Sequence, residues 1–346
     1  MLVKISRDSG IPPFGLDFIG IIDRGTNLVE VRPTTLCNLR CAYCYASAGS
    51  QENQFIVDAS YLVEAFGQVA RFKNIRDIEA HVDPYGEALL YEDLPALVKG
   101  LKAVPGVRLA SMQSNGTLLT PERVDELRAA GLDQINITLN TMDPNQARKL
   151  SCRDEYDLDA LLRTLRLVPE RGMDLVITPV WFFGVNDAEI ERIIEFYKEL
   201  KAAHPAPTAI RMGIQNYLVY KTGRKLGKVK EREFNYFYTR LRALEKKHGT
   251  KLVLNAGDFG IHAAPTYPSD LVAAIRQGGG KKGSIEVEIV APARTGKEFI
   301  GSALGWGVKV LDFSGAAIDP ARRSRIEIPA DRFEITQYFL VTATLK

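Results

Sequence analysis

The stretch VRPTTLCNLRCAYCYAS, residues 31–47, places three cysteines within eight residues of one another. Cys37, Cys41 and Cys44 have the spacing C-x3-C-x2-C. Three thiolates on one tight loop can bind three irons of a cubane cluster, and the fourth iron is then open to another ligand. A structural zinc site usually has four ligands in two paired motifs, and only Cys152 remains outside the triplet. The stretch therefore predicts a [4Fe–4S] cluster that a small molecule completes.

The composition is that of a large globular protein. The 346 residues are 46% hydrophobic and 25% charged, with a formal net charge of +3. Four cysteines fit a reducing cytoplasm better than a disulfide scaffold. No segment approaches the roughly 20 apolar residues of a membrane span, and the N-terminus lacks the apolar stretch of a secretory signal. We expect a cytoplasmic protein with no membrane contact.

Strand and helix patterns alternate from residue 28 onward. Predicted strands cover 28–34, 75–83, 108–114, 134–139, 175–182, 210–215 and 252–254, and predicted helices cover 59–72, 120–131, 187–200 and 232–247. Strands alternating with helices imply parallel βα units. The pattern predicts an α/β fold with a complete or partial (β/α) TIM-like barrel, whose chemistry lies at the carboxyl ends of the strands.

The last 70 residues have a different pattern. A glycine-lysine linker at 277–283 is followed by short period-two segments at 285–289, 299–303, 307–310, 325–328 and 338–345. Such short strands predict a small all-β barrel of the OB-like kind. The predicted organisation is therefore an N-terminal extension at 1–28, a core at 29–276 and a small β-barrel at 279–346.

The cysteine spacing, with Tyr43 just before the last cysteine, resembles the signature of the radical SAM superfamily across roughly residues 29–260. The resemblance implies that the open iron binds S-adenosylmethionine (SAM). Reductive cleavage would then give a 5′-deoxyadenosyl radical that abstracts a substrate hydrogen, with Tyr43 packed on the adenine. An external donor of the flavodoxin or ferredoxin kind would supply the electron. The protein's part would be to orient the cofactors and exclude water, because the hard chemistry belongs to the cofactors.

Further strand-end motifs resemble those of the same superfamily. Asp83–Glu87 resembles its Gly-Gly-Glu motif, with Tyr85 in place of the first glycine. Segment 210–215 resembles the backbone motif that edges the adenine. The resemblance implies SAM contacts for Gly86, Glu87, Ser114, Asn115, Asn136, Thr138 and Ile214.

The remaining cysteine and the histidines carry no comparable pattern. We interpret Cys152 as a small buried side chain rather than a hydrogen donor or methyl carrier. The four histidines show no ligand spacing, and His81 and His262, near predicted strand ends, receive no role. The chain has enough cysteines for one cluster only, and this number argues against an auxiliary cluster.

Residues 211–251 are strongly basic, with twelve Lys or Arg against three acids and with interleaved aromatic residues. Such a stretch can follow phosphates and stack on bases, although a solvated basic helix face has the same composition. The tail at 279–346 resembles the TRAM domain, a small RNA-binding β-barrel. The preferred hypothesis is therefore modification of RNA, either tRNA or rRNA, at an unactivated carbon.

Two other hypotheses remain open. Segments 213–220 and 257–261 resemble an archaeal radical SAM group that includes the arginine C-methyltransferase of methyl-coenzyme M reductase. This resemblance implies a cobalamin-dependent methyltransferase acting on a protein side chain, although no cobalamin-binding Asp-x-His-x-x-Gly motif is present. The third hypothesis is a non-catalytic iron-sulfur protein, which leaves the polar strand ends unexplained.

Overall fold

The computed structural model describes residues 1–205, 207–220, 222–279, 283–314, 318, 320–336 and 338–345. Parts of three predicted features lie outside the described residues: 280–282 of the linker, Lys221 of the basic stretch, and 315–317, 319, 337 and 346 of the tail.

Strands and helices alternate through the first 276 residues. The strands are β1 (Leu2–Ile5), β2 (Gly20–Asp23), β3 (Leu28–Arg32), β4 (Gln54–Val57), β5 (Ile78–Val82), β6 (Val107–Ser114), β7 (Gln134–Ile137), β8 (Asp174–Ile177), β9 (Val180–Trp181), β10 (Ile210–Met212) and β11 (Gln215–Asn216). The helices are α1 (Ala59–Lys73), α2 (Leu94–Lys102), α3 (Pro121–Ala130), α4 (Pro144–Ser151), α5 (Leu158–Glu170), α6 (Asp187–Ala203), α7 (Phe234–His248) and α8 (Asp270–Arg276).

Within the described residues, the main sheet has seven strands in the order β10-β8-β7-β6-β5-β3-β2. All neighbours from β3 to β10 are parallel, and β2 runs antiparallel to β3. The sequence-based expectation of parallel βα units is therefore confirmed. Because parallel strands end at one edge of the sheet, the loops after β3, β5, β6 and β7 come together there.

Alternation along the strands separates an apolar face from a polar face. In β5, Ile78, Ala80 and Val82 are fully buried in the main core. The apolar face of α1 packs against this side, with Leu62, Ala65, Phe66 and Val69 buried as the helical spacing predicts. The intervening residues of β5, Glu79 and His81, line a cavity on the other face.

Helix α3 begins and ends where its local signals predict. Thr120 accepts a hydrogen bond from the Arg123 N–H at 3.2 Å, and Pro121 occupies the first turn. Gly131 ends the helix in the left-handed region, at φ 101°. These caps satisfy backbone groups that a helix end leaves free.

The predicted strand at 252–254 is wrong, because the structure has no strand there. The backbone N–H groups of Leu252 and Val253 both donate to Glu245 Oε1 of α7, at 2.7 and 2.8 Å, instead of to a neighbouring strand. The predicted strand at 175–182 is split into β8 and β9, with Pro179, which has no N–H to donate, between them.

The first 28 residues take part in the core. Strand β1 pairs in parallel with β4, and β2 forms the edge of the main sheet beside β3. The chain between them packs on the C-terminal sheet, where Gly307 N–H donates to the carbonyl of Phe14 at 2.7 Å. A Cβ at Gly15 would lie 2.3 Å from the carbonyl oxygen of Gly307, so this approach requires glycine.

The tail folds as a second sheet, with β12 (Ser284–Pro292), β13 (Glu298–Ala303), β14 (Trp306–Asp312), β15 (Arg325–Pro329), β16 (Phe333–Ile335) and β17 (Val341–Leu345). Across the described part of the tail its order is β15-β12-β13-β14-β17-β16, with only β14 and β17 parallel. The sheet is curled and open, with β15 and β16 at its edges. The predicted strands are present, and β16 is an addition to them.

The described residues form a main core, a second cluster in the C-terminal sheet and a small cluster of Leu150, Phe182 and Tyr217. Val287, Ile289 and Val310 belong to a cluster of the C-terminal sheet, whereas Ala291 and Ile300 of the same sheet belong to the main core. The C-terminal sheet therefore shares buried surface with the core. Among the described helices, none combines the length and the apolarity that crossing a membrane requires.

Candidate functional site

The three clustered cysteines lie on the loop between β3 and β4, at the carboxyl end of the main sheet. All three are free and partly buried. Arg40 N–H donates to the carbonyl of Ser151, and Ala42 N–H donates to that of Leu150 at 2.9 Å. The C-terminal end of α4 thus holds the cysteine loop in place by backbone contacts.

A cavity of about 780 Å³ opens beside this loop. Its lining includes every residue that the sequence assigned to a cofactor: Cys37, Cys41, Tyr43, Cys44, Gly86, Glu87, Ser114, Asn115, Asn136, Thr138 and Ile214. The structure therefore brings the whole predicted set to one cavity. Cys152 is outside it. The prediction of a buried Cys152 is wrong, because this residue ends α4 with φ +52° and is exposed.

The turn after β5 makes a close backbone contact with the cysteine loop. Glu87 N–H donates to the carbonyl oxygen of Leu36 at 2.6 Å. A Cβ at Gly86 would lie 1.9 Å from that same oxygen, so no side chain fits at this position. The cysteine loop and the β5 turn are consequently fixed relative to each other.

The Glu87 side chain connects this turn to the end of β6. One carboxylate oxygen accepts hydrogen bonds from Ser114 Oγ at 2.6 Å and Leu89 N–H at 3.1 Å, and the other accepts from Asn115 N–H at 2.7 Å. The side chain is almost completely buried, and this burial raises the pKa of Glu87. Its second oxygen, with one partner, is able to accept a further donor, such as an ammonium group.

Asn115 also reaches the cysteine loop. Its Nδ2 donates to Asn38 Oδ1 at 3.0 Å, and Asn38 Nδ2 donates to Thr117 Oγ1 at 2.9 Å. Thr117 in turn donates through its hydroxyl to Asn115 Oδ1 at 2.6 Å. This closed ring of hydrogen bonds holds the loop over the end of β6. Asn38, between two cysteines, is a site residue that the sequence analysis did not select.

Tyr43 forms a side wall of the cavity. Its ring packs on Phe182 with centroids 4.8 Å apart, and its hydroxyl accepts a hydrogen bond from Asn140 Nδ2 at 2.5 Å. Asn140 Oδ1 also accepts from the backbone of Val180. Neither Phe182 nor Asn140 stands in a motif, so the sequence alone does not single them out.

The strand residues on the floor of the cavity form hydrogen bonds with one another. Gln113 Nε2 donates to Thr138 Oγ1 at 3.2 Å, and Gln134 Nε2 donates to Asn136 Oδ1 at 3.0 Å. Ile214, just after β10, contributes a buried apolar contact to the same cavity.

Arg224 has a role that its sequence context did not indicate. Its Nε donates to the carbonyl of Cys41 at 2.7 Å, and its Nη1 donates to that of Ala48 at 2.9 Å. Its own N–H donates to the carbonyl of Cys44 at 2.8 Å. Arg224 lies in the stretch that the sequence analysis assigned to RNA, but two of its guanidinium nitrogens bind carbonyl groups inside the protein.

The three thiols are the donor groups that an iron–sulfur cluster binds, and the protein alone does not ionise Cys37 and Cys41. Burial, together with the neighbouring thiols, raises the pKa of Cys37 to about 11 and that of Cys41 to about 12. Without a metal these thiols stay protonated, and bound iron would supply the charge that stabilises thiolates. Within the described ranges, no three His, Cys, Asp or Glu side chains are close enough to share one metal ion. A cubane does not require this, because each thiolate binds a different iron.

The C-terminal sheet contributes a buried arginine beside the β5 turn. Arg294 Nη1 donates to the Tyr85 hydroxyl at 2.7 Å, and its guanidinium lies between the rings of Phe18 and Tyr85, about 5 Å from each. Asp17 and Glu298 are its nearest carboxylates, both at 3.8 Å. Tyr85 directly precedes Gly86, so the tail supports the turn that touches the cysteine loop.

The backbone of the same tail segment also contacts the chain after the cysteines. The carbonyl of Arg294 accepts from Glu52 N–H at 3.1 Å, and that of Ala293 accepts from Asn53 Nδ2 at 2.7 Å. The tail therefore holds the chain after the cysteines directly and the chain before them through the β5 turn.

Comparisons with known proteins agree with this geometry. The model of the radical SAM superfamily matches residues 31–197. The chain is 32% identical over 322 residues to the uncharacterized protein MJ0103 of Methanocaldococcus jannaschii, covering 87% of this chain and 72% of that protein. It is 30% identical over 220 residues to the GTP 3′,8-cyclase of Chlorobaculum tepidum, covering 61% of each.

Among solved structures, Streptococcus suis SuiB bound to S-adenosylmethionine is similar, with a TM-score of 0.50 and 17% identity. The match covers 65% of this chain and 48% of SuiB, and it concerns the fold alone. The chain spans about three fifths of the cyclase and half of SuiB.

Gly86→Ala is expected to separate the β5 turn from the cysteine loop. The added methyl group overlaps the carbonyl oxygen of Leu36, and such overpacking costs about 1–3 kcal/mol or more. Iron bound per chain after anaerobic reconstitution should fall together with stability. Gly227→Ala is the matched control, because a Cβ there meets nothing within 4 Å. Equal iron content in both variants would contradict the role given to Gly86.

Arg294→Met should destabilise the protein by about 2–3 kcal/mol in urea unfolding, because it removes a buried cation from beside two partly buried carboxylates and leaves the Tyr85 hydroxyl without this donor. Arg325→Met is the control, since Arg325 pairs with Glu286 at an exposed position and should cost less than about 1 kcal/mol. If the two variants lost the same stability, the contact would not hold the sheets together.

Proposed function

The chain belongs to the radical SAM superfamily, and from this membership we propose that it cleaves S-adenosylmethionine reductively at a [4Fe–4S] cluster in order to modify RNA at an unactivated carbon. The observation that carries the proposal is the convergence of the three cysteines and the polar strand ends on one cavity. When bound, the cluster supplies one electron to SAM and so generates the radical that abstracts a substrate hydrogen.

Cys37, Cys41 and Cys44 would hold three irons, and SAM would complete the fourth. Glu87, through its free acceptor position, would bind the SAM ammonium, and Tyr43 and Ile214 would enclose the adenine. Ser114, Asn115, Asn136 and Thr138 would supply the polar contacts along the strand ends. The protein's part is to orient SAM and to exclude water from the cavity.

The main sheet would form a partial TIM-like barrel around this cavity. Segment 255–264 supports this interpretation because it contacts the sheet near both ends of the strand order, at β10 and beside β3. Phe259 lies 5.8 Å from the guanidinium of Arg211 on β10, while the backbone of Gly260 and His262 is bound by Asn27, just before β3. This segment would close the gap that the strands leave open.

A surface suited to RNA adjoins the cavity. We call it the basic–aromatic surface, and its exposed members are Tyr220, Lys225, Lys228, Lys230, Arg232, Phe234 and Tyr236. Tyr220 also lines the cavity, and Leu226 N–H donates to the hydroxyl of Tyr217 in the cavity wall at 2.9 Å. Lysines beside exposed aromatic rings can bind phosphates and stack on bases, so the surface supports RNA as the substrate.

The activity named for the cyclase relatives fits this cavity less well. Among the described residues, its charged lining consists of two arginines against three carboxylates: Arg24, Arg32, Glu79, Asp83 and Glu87. Arg24 pairs with Glu30 at 2.5 Å, and Arg32 pairs with Glu30 and Asp83. The arginines are therefore neutralised, and a nucleoside triphosphate would meet an acidic interior.

The TRAM-like nature of the tail, the cobalamin-dependent methylation of a protein and the flavodoxin-like or ferredoxin-like donor stay hypotheses. In the RNA proposal the tail supports the cavity through Arg294 in addition to any contact with RNA. Deleting the tail would therefore disturb the core as well as RNA binding.

Replacing Cys37, Cys41 and Cys44 together by alanine should abolish both the cluster and SAM cleavage. The measurements are iron per chain and 5′-deoxyadenosine formed after reduction. Cys152→Ala is the control and should retain the cluster, because Cys152 is exposed at the end of α4. Cleavage that survives the triple change would overturn the proposed chemistry. A reduced wild-type cluster without any cleavage would favour the non-catalytic hypothesis.

Changing Lys225, Lys228 and Lys230 to glutamate should weaken binding to total tRNA and flatten its salt dependence. Each phosphate contact contributes about 0.7 to 0.9 to the log–log slope, so three lost contacts should reduce the slope by about 2 to 3. Arg224 is left unchanged because it holds the cysteine loop.

The matched control for this experiment reverses Lys99, Arg128 and Arg163, which are exposed on α2, α3 and α5. This control should leave the slope unchanged. Absence of tRNA binding by the wild-type chain at about 50 mM salt, where phosphate contacts are strong, would refute the RNA proposal and favour a protein substrate.

A further inference from the structure

A layer of polar side chains crosses the main sheet below the proposed SAM contacts. Register pairs Glu30 of β3 with His81 of β5, His81 with Ser111 of β6, and Ser111 with Gln134 of β7. Paired residues on neighbouring strands direct their side chains to the same face. Glu79, two residues before His81, shares that face, and both residues line the cavity.

Hydrogen bonds within this layer define the tautomer of His81. Ser111 Oγ lies 2.5 Å from Glu79 Oε1 and 2.7 Å from His81 Nδ1. An ionised carboxylate only accepts hydrogen bonds, so the single hydroxyl proton of Ser111 goes to Glu79. Ser111 Oγ must then accept from an Nδ1–H of His81. In the neutral ring, Nε2 is consequently left as an acceptor.

Several acceptor atoms at this end of the cavity have no protein partner. Within the described ranges, His81 Nε2, Glu79 Oε2 and Asp83 Oδ1 have no hydrogen bond, and none of the three is sealed from the cavity. The Glu79 side chain is only 7% exposed. Glu79 is therefore held within the protein while its unpartnered oxygen faces the cavity, where an entering donor can bind it.

The nearby cations do not offset this surplus of acceptors. The Arg24 Nε is bound to Glu30, and its guanidinium lies over the ring of Tyr338 at 4.4 Å. Arg32 donates to Glu30, to Asp83 Oδ2 and to the carbonyl of Asp17. Arg32 Nε has no hydrogen-bond partner, but it is sealed from solvent. An anionic group would therefore meet carboxylates beside arginines whose charge is already balanced, whereas a neutral group rich in N–H donors would find free acceptors.

We propose that Glu79, His81 and Asp83 form a subsite for the exocyclic amino group of a nucleobase, with Ser111 as the residue that positions His81. This inference rests on the proposed function, which brings RNA to the cavity. Enzymes that act on a base commonly take it out of the stack and recognise its edge by hydrogen bonds. An amino group presents two N–H donors to these acceptors, whereas the corresponding carbonyl oxygen of uracil would face carboxylate oxygens.

The test uses the cluster-containing protein with SAM and two matched pairs of nucleosides, cytidine with uridine and guanosine with inosine. The main difference within each pair is the exocyclic amino group. Isothermal titration should show that the amino-bearing nucleoside of at least one pair binds about tenfold or more tightly than its partner, because a site built for a donor leaves its acceptors unpaired without one.

Glu79→Gln should remove this preference, because it replaces a carboxylate oxygen by an amide that donates. Glu126→Gln, at an exposed position of α3 that pairs with Arg123, is the matched control and should keep the preference. Ser111→Ala provides a second route if the Glu79 variant does not fold. This variant should lower the population of the Nδ1-protonated tautomer of His81, because Nδ1–H loses its acceptor. The change can be followed in ¹⁵N spectra, since the chain has four histidines.

Three results would overturn the subsite. They are equal binding within both pairs, tighter binding of uridine or inosine, and no nucleoside binding at millimolar concentration. Binding of arginine amide without any nucleoside would overturn the nucleobase assignment. SAM cleavage and the salt dependence of tRNA binding, measured on the unchanged chain, report separately on the proposed function. A failure of the subsite alone leaves both of those results intact.

Discussion

The carbonyl oxygen of Leu36 accepts the N–H of Glu87 at 2.6 Å, and the rest of the site depends on this contact. It requires glycine at position 86, because any side chain there would occupy the position of that oxygen. Once the two loops meet, the Glu87 carboxylate can reach Ser114 and Asn115 at the end of β6. The cysteine loop, the β5 turn and the β6 end thus become one rigid unit, because each is bonded to the other two.

Much of this arrangement could be predicted from the sequence because its signals are local. The cysteine spacing, the alternation of βα units and the polar residues at strand ends all lie within short windows, and the structure collects them at one edge of the sheet. Long-range contacts could not be predicted in this way. Arg224 reaches a cysteine 183 residues earlier in the chain, and no composition rule separates it from the exposed lysines beside it.

The departure from the family motif at Tyr85 has a physical explanation in the tail. Where the motif has a glycine, this chain has a tyrosine whose hydroxyl and ring both bind Arg294, 209 residues away. A period-two pattern predicts the strands of the tail, but it does not indicate that their connecting turn enters the main core. The domain boundary predicted at the linker, residues 277–283, therefore lies between two sheets that both help to hold the cysteine loop in place.

The cavity and the basic–aromatic surface impose opposite requirements on a substrate. Outside, exposed lysines favour a polyanion and aromatic rings favour flat groups. Inside, neutralised arginines and free acceptors disfavour phosphate and favour neutral N–H donors. A small anionic nucleotide satisfies the exterior alone, and a basic peptide satisfies the interior alone. A nucleic-acid strand satisfies both, because its backbone carries the negative charge and its bases carry neutral amino groups. The proposal of an RNA substrate rests on this charge distribution, since it has the backbone stay outside while one base enters.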